Sequence, residues 1–165
     1  MTRSGKWLVP AVALAAVALA GCNNQPIVGN ASVTTVPSPS SATVDVRTVK
    51  GFGQVLVTSQ GRSLYMFTAD PKNGTTCAGS CLLVWPPLLE GGSRIKAGPG
   101  VNPKLLSVVG VQGGGKQVCY NGYALYTFEE DAAAGMASGE GTQTYGGTWY
   151  LMSPSGHPVK GPTHG

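Results

Sequence analysis

The chain has 165 residues, of which 11 are basic, 7 acidic, 25 glycine and 12 proline. That is the length of one ordinary domain. So few charges and so many chain-breakers exclude a coiled coil, a helical bundle and a charged disordered tail. Both histidines, His157 and His164, sit near the C-terminus, so the body of the domain has no histidine for catalysis.

Arg3 and Lys6 precede an apolar run from Trp7 to Ala18. The run is too short for a permanent bilayer helix, which needs about 20 apolar residues. It has the length of a signal-peptide core. Leu19-Ala20-Gly21-Cys22 follows and resembles a bacterial lipobox. That resemblance implies cleavage after residue 21 and acylation of Cys22. Two acyl chains on its sulfur would then hold the chain at the extracytoplasmic face of the cell membrane. Without Arg3 and Lys6 the formal charge falls from +4 to about +2, and no dense Lys/Arg cluster remains. Nucleic acid is therefore not an expected partner.

Residues 22–48 read as the acylated cysteine and a Ser/Thr/Pro-rich tether. Residues 155–165 read as a flexible tail, which leaves residues 49–154 as the folded domain. Its strand signals are Gln54–Thr58, Ser63–Thr68, Leu105–Val111, Lys116–Tyr120, Tyr123–Phe128 and Thr148–Met152. Asn121-Gly122 between two β-rich runs marks a two-residue hairpin, because both turn positions need positive φ. Alternation then places Cys119, Ala124, Tyr126 and Phe128 on one face, with Val118 and Leu125 on the other. A matching turn at Gln60-Gly61 puts Leu56 with Tyr65 and Phe67, and Val55 and Val57 with Leu64 and Met66. Both faces are apolar, so both need cover. One short helix is expected around Asp131–Met136, capped by Asp131.

The chain contains an internal repeat. Val57, Gly61, Leu64, Tyr65, Phe67 and Asp70 recur as Val118, Gly122, Leu125, Tyr126, Phe128 and Asp131, with constant spacing and no gap. Trp85 and Trp149 follow at nearly the same interval. Repeat one covers about 51–90 and repeat two about 105–154. The expected fold is mainly β: two tandem repeats, each a hairpin plus a further strand, packed as a small antiparallel sandwich or closed sheet around a pseudo-twofold axis.

Tyr65-Met66-Phe67-Thr68-Ala69-Asp70 and Tyr126-Thr127-Phe128-Glu129-Glu130-Asp131 resemble the Tyr-x-(Phe/Trp/Tyr)-x-x-Asp signature of bacterial lipoproteins built from a tandem secreted repeat. The resemblance extends to Thr76–Cys81, Trp85-Pro86-Pro87-Leu88 and Gly147-Thr148-Trp149-Tyr150. It implies an envelope lipoprotein from a family of unassigned function. After the second motif that family tends to have Gly-Asp-x-x-Gly-Gln-Gly, whereas this chain has Gly135-Met136-Ala137-Ser138-Gly139-Glu140-Gly141 and lacks the acid.

The repeated residues allow two kinds of role. Tyr65, Phe67, Trp85, Tyr126, Phe128 and Trp149 would either line a ligand cleft between the repeats or form the main core. Asp70 and Asp131 would either cap backbone N–H groups or act as a paired-carboxylate hydrolase. Cys77 and Cys81, outside the cytosol, form the expected disulfide. With Met66 or Met136 they could instead bind copper through soft ligands, as a metal or redox protein. Cys119 reads as a buried, inert thiol. No Gly-x-Ser-x-Gly elbow, phosphate-binding loop or zinc-type His pair is present. The reading is a lipid-anchored, non-enzymatic binding or structural module for an envelope partner or small ligand, with no cofactor predicted. Copper binding and the hydrolase are its alternatives.

Overall fold

In the computed structural model the structure describes residues 43–92 and 94–161. The signal segment, Cys22 and most of the tether lie outside these residues. The described chain is mainly β, with nine strands in three small sheets and one four-residue helix. The strands are β1 (Thr43–Val49), β2 (Gly53–Thr58), β3 (Tyr65–Phe67), β4 (Lys96–Ala97), β5 (Leu106–Gly110), β6 (Lys116–Tyr120), β7 (Tyr123–Ala124), β8 (Gln143–Thr144) and β9 (Gly147–Leu151). The sheet orders are β2-β1-β4, β3-β9-β8 and β5-β6-β7, antiparallel except for β1 with β4. No closed barrel forms among the described residues.

Four sequence expectations need correction. The sequence places the end of the tether at residue 48, but residues 43–49 are β1, paired with β2 from Val44 to Val49. The cause is a valine alternation, Val44 and Val46 against Asp45 and Arg47, hidden by its Ser/Thr-rich surroundings. The tail is packed as far as its described part runs: Gly156 is buried, Val159 N donates to Leu151 O at 2.8 Å, and Gly161 N reaches Glu140. The helix is not at 131–136. It is α1 (Cys81–Val84), entered from a turn at Ala78–Ser80, while Asp131 turns its carboxylate to a loop instead.

The fourth correction concerns register. The Asn121-Gly122 loop has two residues, both at positive φ, and Tyr120 pairs with Tyr123 as expected. In the first hairpin three residues, Ser59 to Gly61, separate Thr58 from Arg62, and Thr58 N donates to Arg62 O. Gly61, at φ +82°, absorbs the extra residue. One residue of slip exchanges the faces of a strand. Val55 and Val57 therefore join Tyr65 and Phe67, while Leu56 joins Leu64 and Met66. The counterpart of Val118 is Leu56, and the gapless match of Val57 with Val118 is only a sequence coincidence.

Two apolar clusters lie on opposite faces of these strands. The larger holds all six motif aromatics with Val55, Val57, Cys119 and Leu151. The smaller holds Leu56, Leu64, Met66, Val118, Tyr120, Leu125 and Met152. The hairpins are thus covered on both faces, as their composition requires.

The two repeats are interleaved. The strand after each tryptophan pairs with the hairpin of the other repeat. Leu56 N donates to Met152 O and Met152 N to Leu64 O. In the mirror arrangement, Val118 N donates to Leu88 O and Leu88 N to Leu125 O. At the centre Tyr65 N donates to Tyr126 O at 2.8 Å, and Tyr126 N returns a bond to Tyr65 O at 3.0 Å. This reciprocal pair marks the pseudo-twofold axis.

Candidate functional site

The repeated aromatics and aspartates converge on that axis. β3 and the strand beginning at Tyr126 each present Tyr and Phe to the larger cluster, because positions two apart share a face. Trp85 at the end of α1 and Trp149 in β9 arrive from opposite sides. Four of these rings form one column in the order Phe67, Trp149, Trp85, Phe128. Their centroid separations are 4.1, 3.9 and 4.4 Å. Tyr65 meets Trp85 edge-on at 5.3 Å, and Tyr126 meets Trp149 edge-on at 5.1 Å. Trp85, Trp149, Tyr65 and Tyr126 have no exposed surface at all. Neither indole N–H has an acceptor among the described residues. A lone buried donor costs about 1–3 kcal/mol, so area and ring–ring attraction hold the column together. The aromatics enclose one another and, among the described residues, line no cleft.

The carboxylates explain the Tyr-x-Phe-x-x-Asp spacing. The phenol of Tyr65 donates to Asp131 Oδ2 at 2.6 Å, and that of Tyr126 donates to Asp70 Oδ2 at 2.8 Å. Each motif's tyrosine is therefore anchored by the other motif's aspartate. The second oxygen of each carboxylate clamps the following loop. Asp70 Oδ1 accepts from Thr76 N at 2.6 Å and from its hydroxyl at 2.9 Å. Asp131 Oδ1 accepts from Ser138 N at 2.9 Å and from the Ser138 hydroxyl. The Tyr126 phenol also bonds the Thr75 hydroxyl, and Gly139 N donates to the Tyr65 oxygen at 3.3 Å.

This removes the hydrolase reading. Acid–base pairs are built by placing two carboxylates in unlike surroundings. Asp70 and Asp131 have matching surroundings, are both buried, and spend both oxygens on amide, hydroxyl and phenol donors. The loop with the missing acid is structural as well. Ser138 clamps Asp131, while Glu140 accepts from Leu151 N at 2.6 Å and from Gly161 N at 3.3 Å. Burial raises the Glu140 pKa, and these two amides oppose the shift.

Cys77 and Cys81 are joined, with Cα atoms 5.4 Å apart. Both sulfurs are thereby committed to each other and sit in the larger cluster. Met66 lies in the smaller cluster, on the opposite face of β3, and Met136 is exposed. Met66 is thus packed apart from the cysteine pair. Cys119 is free and fully buried, and burial pushes its thiol up to about 11.

Surface grooves of about 380 to 460 Å³ among the described residues lie along the β8–β9 turn, beside Lys72 and Lys104, and beside β5. None is lined by a motif aromatic or aspartate. No helix among the described residues is long and apolar enough to cross a membrane.

A family model described as a secreted repeat of unknown function matches residues 48–89 and 107–152, together just over half of the chain. The chain belongs to that family. The two matched segments are the two interleaved repeats, and each contains one Tyr-x-Phe-x-x-Asp motif. No curated relative and no solved structure matches the chain.

What sequence reasoning missed was the crossing: which tyrosine meets which aspartate, and which strand joins which hairpin. The equal spacing of the repeats signals a twofold arrangement. It does not say whether partners lie within a repeat or across the axis.

Proposed function

We propose that this chain is a lipid-anchored module of the cell envelope, held at the extracytoplasmic face through Cys22, and that it binds or braces a partner without catalysing a reaction. The observation that carries the non-enzymatic part is the fate of the motif. Its aromatics are sealed in the core and its carboxylates are spent on loops and phenols. The chemistry of the repeat is consumed by architecture, which leaves the surface to do the work. The Leu19-Ala20-Gly21-Cys22 segment and the description of the family as secreted support the location. A disulfide between Cys77 and Cys81 fits an oxidising compartment.

The test is metabolic labelling with a palmitate analogue followed by membrane fractionation. The wild-type chain is expected to carry label and sediment with membranes. Cys22→Ala is expected to lose the label and leave the membrane fraction. A Cys22→Ala chain that stays processed and membrane-bound removes the anchor.

A further inference from the structure

β5 is the counterpart of β1. Leu106 faces Tyr120 in β6 as Val44 faces Thr58 in β2, so Val44, Val46 and Thr48 correspond to Leu106, Val108 and Gly110. The outer edge of β1 is covered. β4 runs alongside it in parallel, Gly98 N donates to Val44 O at 2.8 Å, and Gly100 packs on Val46. The outer edge of β5 has no such cover among the described residues.

The direction of its peptide groups follows from the ladder. Asn121 N donates to Leu105 O, and Val111 N donates to Gly115 O. In an antiparallel pair, bonded positions alternate. Residues 105, 107, 109 and 111 therefore bond toward β6. Leu106, Val108 and Gly110 lie at outward positions: the Leu106 N–H is taken by Pro103 O, while Leu106 C=O and both peptide groups of Val108 and Gly110 have no partner among the described residues. The other outermost strands are protected. β4 and β8 are two residues long. β2 is met by Met152, β3 by Tyr126 and the strand after β7 by Leu88. Among the described residues, only β5 offers an open edge longer than two residues. Edges are usually blunted by lysine, proline or a bulge. Leu106-Ser107-Val108-Val109-Gly110 has none of these, and Val108 is 37% exposed.

We propose that β5 is a docking edge for a second copy of this chain, paired antiparallel across a twofold axis at Val108. In that register Val108 faces Val108 of the copy and Leu106 faces Gly110, so both peptide groups of Val108 meet their match and the Gly110 N–H meets Leu106 C=O, while the Leu106 N–H stays with Pro103. The charges agree with this pairing. The strand itself is uncharged, and Lys104 falls opposite Gln112 rather than another lysine. The groove beside β5 carries one acid and one base, Glu90 and Arg94, and Lys116 is already paired with Glu90 at 3.8 Å. The β5-β6-β7 sheet would then continue as one sheet across two molecules.

The experiment uses the full chain as made in cells, extracted in detergent. Val108→Cys places two thiols in a bonded antiparallel pair, where Cα atoms lie about 5.5 Å apart, within disulfide range. It is expected to give a reducible dimer, whereas Leu83→Cys, equally a surface cysteine (76% exposed) but on α1, stays monomeric. Analytical ultracentrifugation supplies a second readout. The wild-type chain is expected at twice the chain mass, and Val108→Pro at half of that. Proline there removes only an outward N–H, which an edge strand tolerates. Near-UV circular dichroism from the buried tryptophans checks that the fold survives, and Val108→Lys replaces the proline variant if it does not. A wild-type chain that sediments as one molecule, or cross-linking no stronger at 108 than at 83, overturns the proposal.

Discussion

At the scale of single residues, the phenol–carboxylate pairs set the expectations. Tyr126→Phe keeps the ring on Trp149 but strips Asp70 Oδ2 of its donor. A buried carboxylate oxygen left unpaired costs about 1–3 kcal/mol, so the urea midpoint is expected to fall by that equivalent. Adding Asp70→Asn to this variant is expected to cost less than Asp70→Asn alone, since residues sharing one hydrogen bond are not additive. Full additivity would deny the pair. Alkaline pH reads the same groups in another way. Burial first, and then the Asp131 carboxylate, hold the Tyr65 phenol well above its ordinary 10.0. Burial and Asp70 do the same for Tyr126, against the pull of Thr75. Cys119 is pushed up to about 11. The unfolded chain therefore gives up these protons first. Stability is full below about pH 9 and is expected to fall as pH rises past 10. Ultraviolet titration is expected to show Tyr65 and Tyr126 ionising only as the chain unfolds. The sequence made these residues visible, because identical spacing in two places demands a reason. Their partners were not visible, since a hydrogen bond across an axis leaves no trace in local spacing.

Elements show where local signals suffice. Asn121-Gly122 was readable because both turn positions need positive φ and both residues supply it. Ser59-Gln60-Gly61 was not, because a single glycine fits a two-residue or a three-residue loop, and the choice reverses every side chain of β2. β1 was missed because its short alternation borders a tether-like composition. α1 was missed because four residues carry no helical period. What holds α1 is the Cys77–Cys81 bridge at its entrance and Trp85 at its exit. Replacing both cysteines by serine is expected to cost ~2 kcal/mol by the loop-closure estimate and to weaken the near-UV tryptophan signal. An unchanged melting temperature under a reducing agent would contradict this. A second element-scale expectation concerns the loop that clamps Asp131. A methyl group on Gly139 would lie 2.7 Å from Trp85 Cη2 and 3.1 Å from Phe128 Cγ. Gly139→Ala is thus expected to lose about 1–3 kcal/mol through overpacking, measured by thermal melting. A neutral result would mean that the column yields at that end.

For the molecule as a whole, interleaving decides what the folding unit is. A tandem repeat read along the sequence suggests two modules, each stable when cut free. Here each hairpin lacks the strand that bonds both of its arms until the other repeat provides it, and each tyrosine lacks its acceptor. A half chain would also expose one face of its aromatics, because the column alternates Phe67 and Phe128 at its ends with Trp149 and Trp85 between them. Fragments of that size bury too little surface to offset chain entropy alone. Residues 23–104 and 105–165 made separately are therefore expected to lack near-UV tryptophan dichroism and a cooperative urea transition. Mixed in equal amounts, they are expected to recover both, because every cross-axis bond forms between the fragments rather than within one. The recovered signal should depend on fragment concentration, as association requires. A single fragment with a cooperative transition of its own would make the repeat the folding unit and the crossing only a mode of packing. Refolding of the mixture without concentration dependence would lead to the same conclusion.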